Sequence, residues 1–233
     1  MTQHIGIVAG SAEGAALCYR TICLEAPAML GEYRHPRITL DGIALGEYME
    51  LIYRDDWRSV GALMLDSARR LHAAGADFAI CPDNTFHQAL PYVRDAMPIP
   101  WLHIAEVVAD QARSQGLQHL GVLGTRYLME GPVYREALES RAIRMAVPET
   151  PDRRTVNRII FEELVNGEIL EPSRLQCLEI IGRLRDKGCD AVVLGCTELP
   201  LIILPADSSL PTLDSTRLLA RAAIRRAVGS ATG

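Results

Sequence analysis

Two short polar segments in this sequence follow apolar runs and carry residue types that can move a proton on carbon. They are Cys81-Pro82-Asp83-Asn84-Thr85 and Gly195-Cys196-Thr197-Glu198. A thiolate is a good carbon base, although it must be generated from a thiol whose ordinary pKa is about 8.5. A carboxyl group can supply the opposing acid or base. Cys196 and Asp83 are therefore the candidate catalytic residues.

The two segments occupy equivalent positions in an internal repeat. Asp83 lies eight residues after Gly75, and Cys196 lies eight residues after Gly188. The starts of the two halves also match, as Gly6-Ile7-Val8-Ala9-Gly10-Ser11 and Gly121-Val122-Leu123-Gly124-Thr125. If the halves face each other, Asp83 and Cys196 approach one cleft from opposite sides. That arrangement removes a proton from one face of a carbon and returns it on the other.

The elements that must position these loops are strands alternating with helices. The predicted strands are 5–9, 37–40, 77–81, 119–123 and 190–194. The predicted helices are 13–25, 57–74, 104–115, 134–139, 155–165, 174–187 and 215–228. This alternation predicts two pseudo-symmetric α/β domains, each a mostly parallel sheet flanked by helices. The expected domains are residues 1–100 with about 206–233, and residues 101–205. Because parallel sheets bind ligands beyond the carboxyl ends of their strands, the active site is expected in the cleft between them.

The composition excludes several classes of protein. The 233 residues are 48% apolar and carry a net charge of −5, with no basic face of the kind that binds nucleic acid. No run of about 18 apolar residues predicts a membrane span, and no basic segment precedes an apolar stretch at the start. Six cysteines without a zinc spacing predict reduced thiols and no metal, so a cytoplasmic location is expected. Four of them are interpreted as core thiols: Cys18, Cys23, Cys177 and Cys189.

These segments resemble the aspartate/glutamate racemase family, part of the Asp/Glu/hydantoin racemase superfamily, over almost the whole chain. The resemblance is carried by Ile5 to Ser11, Asp83-Asn84-Thr85-Phe86-His87, Leu123 to Glu130, Ile159 to Leu164, Leu194 to Pro200 and Pro211 to Thr216. It implies a cofactor-independent racemisation by two opposed acid/base residues, with no cofactor and a homodimeric assembly. The implied partner is a small-molecule amino acid or carboxylic acid substrate.

Backbone N–H groups and hydroxyls in these loops are the expected anchors for that substrate. An α-carbanion formed without a cofactor needs such donors for most of its stabilisation. The candidate substrate-binding residues are Gly10, Ser11, Asn84, Thr85, Thr125, Thr197 and Glu198. We expect Cys196 at a helix N-terminus, where N–H groups favour negative charge.

The sequence departs from the family pattern at three places. Asp83 stands where the family has its first catalytic cysteine, and Leu219 stands where it has a histidine near the C-terminal helix. The two segments in which aspartate racemases carry basic residues, 40–45 and 164–167, contain no Arg or Lys. A substrate other than aspartate is therefore expected.

Other interpretations stay open. Cys196 alone could serve a one-base decarboxylase or isomerase of a small carboxylic acid, and the chain could be a carboxylate-binding protein that has lost catalysis. On a purely structural interpretation Asn84, Thr85 and Thr197 are helix N-caps and Asp83 is a turn or capping carboxylate.

Overall fold

The computed structural model describes residues 2–229, which form two compact units. Within those residues the first unit runs from the N-terminus to Ile104 and resumes at Thr216, and the second unit is Ala105–Ser215. Each unit contains one four-stranded sheet in which every pairing is parallel.

The first unit is built on strands β1 (Ile5–Ala9), β2 (Ile38–Gly42), β3 (Phe78–Ile80) and β4 (Trp101–Leu102), in the order β2-β1-β3-β4. Between β1 and β3 the first unit contains four helices, α1 (Ala12–Glu25), α2 (Pro27–Leu30), α3 (Leu45–Tyr53) and α4 (Trp57–Ala73). Two 3-10 segments, Asn84–Tyr92 and Arg94–Ala96, connect β3 to β4. β1 and β3 are buried along their whole length, as expected for central parallel strands covered on both faces.

Helix α5 (Ile104–Ser114) leads into the second unit, which repeats this arrangement. Its strands are β5 (His119–Leu123), β6 (Arg144–Ala146), β7 (Ala191–Leu194) and β8 (Thr212–Asp214), in the order β6-β5-β7-β8. Its helices are α6 (Arg126–Glu130), α7 (Val133–Glu139), α8 (Thr150–Arg158), α9 (Glu171–Asp186) and α10 (Leu199–Ile202). The chain then returns to the first unit through α11 (Ser215–Gly229). The identical strand order confirms the predicted fold class of two similar parallel α/β halves.

The two units share individual hydrogen bonds as well as their strand order. After α4, Gly75 has φ +89°, a left-handed conformation that ends the helix and favours glycine. The carbonyl of Gly75 accepts from Nδ1 of His4 at 2.8 Å, and the His4 backbone N–H donates to Asp77 Oδ2 at 2.6 Å. These bonds join the end of α4 to the start of β1.

The same bonds recur in the second unit. Gly188 follows α9 with φ +82°, and its carbonyl accepts from Nδ1 of His119 at 2.8 Å. The backbone N–H groups of Gln118 and His119 donate to Asp190 Oδ2 at 2.7 and 2.8 Å. The sequence interpretation recognised the two glycines but missed the histidine that each one binds.

The largest departure from the predicted elements is the helix expected at 155–165. Helix α8 begins earlier, at Thr150, because Pro151 occupies its first turn, where a missing N–H costs nothing. It then widens into a π-helical turn over Ile159–Glu163, followed by a 3-10 turn over Leu164–Asn166. Seven elements of two to nine residues were not predicted; they are α2, α3, α6, α10, β4, β6 and β8. Among residues 2–229 no helix has the length and apolar character to cross a membrane.

The carboxylate of Asp77 is expected to stabilise the first unit through its bond to His4. Asp77→Ala leaves that N–H without its charged acceptor and should lower the unfolding free energy by about 1 kcal/mol. Asp66→Ala is the control, because Asp66 forms an exposed pair with Arg70 on α4 at 2.5 Å. Such a pair is worth about 0.5 kcal/mol or less. Thermal melts of both variants test this, and an Asp77→Ala loss no larger than that of the control would contradict it.

Candidate functional site

Asp83 lies in the loop between β3 and the 3-10 segment that follows it, and its side chain is half-buried. The backbone N–H of Gly10 donates to Oδ2 at 3.0 Å, and that of Ser11 lies 3.3 Å from both carboxyl oxygens. Ser11 is also the N-cap of α1, and its hydroxyl accepts from the Gly14 N–H at 3.3 Å. The side chain of Asp83 is thus held by backbone N–H donors at the N-terminus of a helix.

The close approach of this loop to the end of β1 depends on Gly10. A Cβ atom at this position would stand 2.5 Å from the Phe86 ring, a separation that side chains do not tolerate. Phe86 in turn stacks on Tyr48 with ring centroids 4.0 Å apart. Tyr48 is fully buried, and burial, with smaller contributions from Cys81 and Asp83, raises the pKa of its phenol well above the ordinary value. The Asp83 loop therefore rests on a neutral aromatic stack.

His87 holds the main chain of the same loop. Its Nδ1 lies 3.2 Å from the carbonyl oxygen of Asp83, while its Nε2 lies 3.3 Å from Trp101 Nε1 and 3.4 Å from the Ile104 backbone N. A carbonyl can only accept, so the proton is on Nδ1, and Nε2 accepts both remaining N–H groups. Burial, and next the neighbouring His103, lower the pKa of His87 well below its usual value. The ring is therefore neutral, with one defined tautomer.

Asn84 and Thr85 are part of the 3-10 segment and do not cap it. Asn84 is buried, and its side-chain amide donates to the carbonyl of Pro82 at 3.3 Å. Thr85 is half-buried one residue further along. The N-cap position of this segment is Asp83, whose side chain binds the N–H groups of Gly10 and Ser11 and not those of the segment.

Cys81 remains a protonated thiol in the folded chain. It is fully buried, and burial followed by the charge of Asp83 raises the pKa of its thiol well above the ordinary value. Its Sγ lies 3.8 Å from the carbonyl oxygen of Asp83, to which it donates. Cys177, in the second unit, is buried as well, and burial raises the pKa of its thiol to about 12. Among residues 2–229 no three His, Cys, Asp or Glu side chains are grouped as metal ligands.

Cys196 lies just after β7, and its thiol is half-buried. Its Sγ donates to Glu198 Oε2 at 2.9 Å, and the hydroxyl of Thr197 donates to the same oxygen at 2.7 Å. Both Thr197 and Glu198 are buried, with 4% of each exposed. One carboxylate oxygen therefore fixes the direction of the thiol and of the neighbouring hydroxyl.

The helix expected beside Cys196 begins further along the chain. Helix α10 starts at Leu199 with Glu198 as its N-cap, and Cys196 lies in the preceding turn, where its carbonyl accepts from the Leu199 N–H at 3.2 Å. The thiol contacts the carboxylate of Glu198. Thr125 is the N-cap of α6 and accepts from the Leu128 N–H at 3.3 Å.

Comparison with known proteins decides the family. The profile of the family described as Asp/Glu/Hydantoin racemase matches residues 10–223. The chain belongs to this family. A crystal structure of a Yersinia pestis protein, described there as a proposed Asp/Glu racemase, is 35% identical with a TM-score of 0.89, and the match covers 97% of this chain and 99% of that one. The resemblance of the sequence segments is therefore confirmed.

Two further racemase relatives support the assignment. An aspartate racemase homologue from Pyrococcus horikoshii OT3 is 27% identical with a TM-score of 0.84, over 98% of this chain and 100% of that one. The broad specificity amino-acid racemase RacX of Bacillus subtilis (strain 168) is 23% identical over 165 residues, 69% of each protein. The racemase fold thus spans both units of the chain.

The neutral His87 predicts a pH dependence of stability in this racemase-family protein. An unfolded histidine gains a proton as the pH falls through about 6.5, whereas the buried ring, with its lowered pKa, does not. The unfolded state then binds more protons, so the contribution of His87 is complete above about pH 6.5 and is lost below it, by at most about 1.4 kcal/mol per pH unit. Urea denaturation of the wild type and His87→Gln between about pH 5 and 8 measures this. Equal slopes in the two proteins would contradict it.

Proposed function

We propose that this chain is an amino-acid racemase or epimerase that moves the Cα proton between Cys196 and Asp83 without a cofactor. The observation that carries the proposal is the equivalence of the two loops. Each follows the same strand of its own sheet, and each holds one proton-active side chain through short polar contacts. Membership of the racemase family supports the reaction type. The homodimer and the cytoplasmic location expected from the sequence stay predictions.

The contacts give the two groups different resting forms. Asp83 accepts from two backbone N–H groups, which favours the carboxylate. Cys196 donates to Glu198, which favours the thiol. One proton is then shared by the proposed pair, and each turnover transfers it from one group to the other through the substrate. Glu198 is assigned to orienting the thiol, whose proton passes to Cα of the substrate as the thiolate forms.

The pair is chemically unequal. Ordinary Asp and Cys side chains differ by about 4.6 pKa units, or roughly 6 kcal/mol in basicity. A protonated Asp83 is therefore a ready donor, and the Cys196 thiolate is the stronger acceptor. Without a cofactor, donors around the substrate carboxylate must supply much of the stabilisation of the carbanion. The proposed donors are the backbone and side chains of Ser11, Asn84, Thr85, Thr125 and Thr197.

A substrate without an acidic side chain fits the charges near these loops best. The segment at β2 that is basic in aspartate racemases carries Asp41 here, and the 3-10 turn Leu164–Asn166 follows the buried Glu163. Neither segment contains Arg or Lys, and the arginines beside them are paired, Arg70 with Asp41 at 3.7 Å and Arg158 with Glu163 at 2.5 Å. The broad specificity of the racemase RacX of Bacillus subtilis accords with such a substrate range.

The reaction is tested by hydrogen exchange at Cα. The wild type in D₂O, offered a panel of D- and L-amino acids, should incorporate deuterium and interconvert the enantiomers of at least one. Cys196→Ala should reduce both signals by about 10²-fold or more, since it removes a general acid/base group. Mass spectrometry and chiral chromatography read the two signals.

Cys23→Ala is the matched control, because Cys23 is also half-buried but lies on α1, and it should keep wild-type activity. Absence of exchange with every amino acid in the panel would contradict the proposed function. Release of carbon dioxide without racemisation would favour the one-base decarboxylase instead.

The variant Asp83→Asn tests whether Asp83 acts on one face of the substrate Cα while Cys196 acts on the other. Since enantiomers have equal free energy, kcat/KM must fall equally in both directions, by about 10²-fold or more. Cys196 remains, so the variant should still exchange the Cα hydrogen of one enantiomer without inverting it. Asp95→Asn, at an exposed carboxylate in the Arg94–Ala96 turn, is the control. Full racemisation by Asp83→Asn would remove Asp83 from the proposed pair.

A further inference from the structure

Asp83 is fixed at both its side chain and its main chain, and the second attachment comes from a residue outside the proposed acid/base pair. The N–H groups of Gly10 and Ser11 hold the carboxylate. The carbonyl of Asp83 accepts from Nδ1–H of His87 at 3.2 Å. With both ends held, the carboxyl group has little freedom to rotate away from the end of β1.

We propose that His87 is a positioning residue for Asp83, and that its imidazole is required because it donates to the Asp83 carbonyl while accepting from Trp101 and Ile104. The inference rests on the proposed function and names the residue that keeps its acid/base group in place.

The other nitrogen of the ring meets two buried donors. Nε2 is the acceptor for the Trp101 indole at 3.3 Å and for the Ile104 backbone N–H at 3.4 Å. Only 2% of His87 is exposed, so water has little access to replace these bonds. The two N–H groups orient the ring so that Nδ1–H is directed at Asp83. His103, with its ring 4.5 Å away, packs against the same imidazole.

Asn and Gln at position 87 would each keep one of the two hydrogen-bonding roles of the imidazole. The Asn amide nitrogen stands the same number of bonds from Cα as Nδ1, so His87→Asn keeps a donor for the Asp83 carbonyl and loses the acceptor for Trp101 and Ile104. The Gln amide oxygen stands the same number of bonds from Cα as Nε2, so His87→Gln keeps the acceptor and loses the donor to Asp83.

The inference predicts that stability and activity separate in these variants. His87→Gln should melt close to the wild type but racemise about tenfold to hundredfold more slowly, since misplacing a reacting group by about 1 Å can have that effect. It should also resemble Asp83→Asn in exchanging the Cα hydrogen of one enantiomer without inversion. His87→Asn should keep much more of the racemisation but melt about 4 °C lower or more, because two buried donors lose their acceptor.

Trp101→Phe is the matched control. It removes one of the two donors to Nε2, and the Ile104 N–H remains to orient the ring toward Asp83, so the variant should melt slightly lower and preserve racemisation. Nitrogen-15 NMR of the imidazole in the wild type should show a neutral ring protonated on Nδ1 between about pH 5 and 8.

The outcomes distinguish this inference from the proposed function. A wild type that exchanges no amino acid overturns the proposed function and the inference together. An active wild type whose His87→Gln variant racemises at the wild-type rate overturns the inference alone. Loss of activity in both variants in proportion to their loss of stability, with neither showing one-sided exchange, assigns His87 a purely structural role and also overturns it.

Discussion

Parallel pairing of β1 with β3 and of β5 with β7 is the constraint on which the Asp83 and Cys196 loops depend. In the first unit Ile7 of β1 pairs with Ile80 of β3, and in the second unit Leu123 of β5 pairs with Leu194 of β7. Extending the first register by three residues brings Gly10 opposite Asp83, where their hydrogen bond of 3.0 Å is found. A slip of one residue would turn the buried side chains of the strand to the wrong face and separate these partners.

Burial of the central strands maintains that register. β1, β3 and β7 carry only buried residues, so their apolar side chains on both faces are held by helices. The histidine at the start of each half and the aspartate just before β3 or β7 then join the glycine turn after a helix to the first strand of that half. His4 and His119 make the same bond to Gly75 and Gly188. The repeat therefore preserves the supports of the loops as well as the loops themselves.

The two loops differ in what surrounds their proton-active groups. Asp83 is surrounded by donors, and Cys196 faces an acceptor. Backbone N–H groups at a helix N-terminus hold the carboxylate of Asp83, whereas the buried carboxylate of Glu198 accepts a hydrogen bond from the Cys196 thiol. The two loops thus hold their proton-active groups by opposite kinds of hydrogen bond, one accepted and one donated. The neutral His87 adds no positive charge to the Asp83 loop.

The sequence by itself determined the internal repeat, the main strands and helices, the family and the two polar loops, because each of these is written in local patterns of residue type and spacing. The tertiary structure alone decided the roles within the loops. Asp83 meets the N–H groups of Gly10 and Ser11 across 73 and 72 residues of chain, and His87 meets Trp101 and Ile104 across 14 and 17. No local pattern specifies such partners. The contact of Glu198 with the Cys196 thiol is close in sequence, yet its direction depends on the burial of that carboxylate among elements brought together by the sheet. Hydrogen-bond partners follow from strand register and packing, and these exist only once the chain has folded.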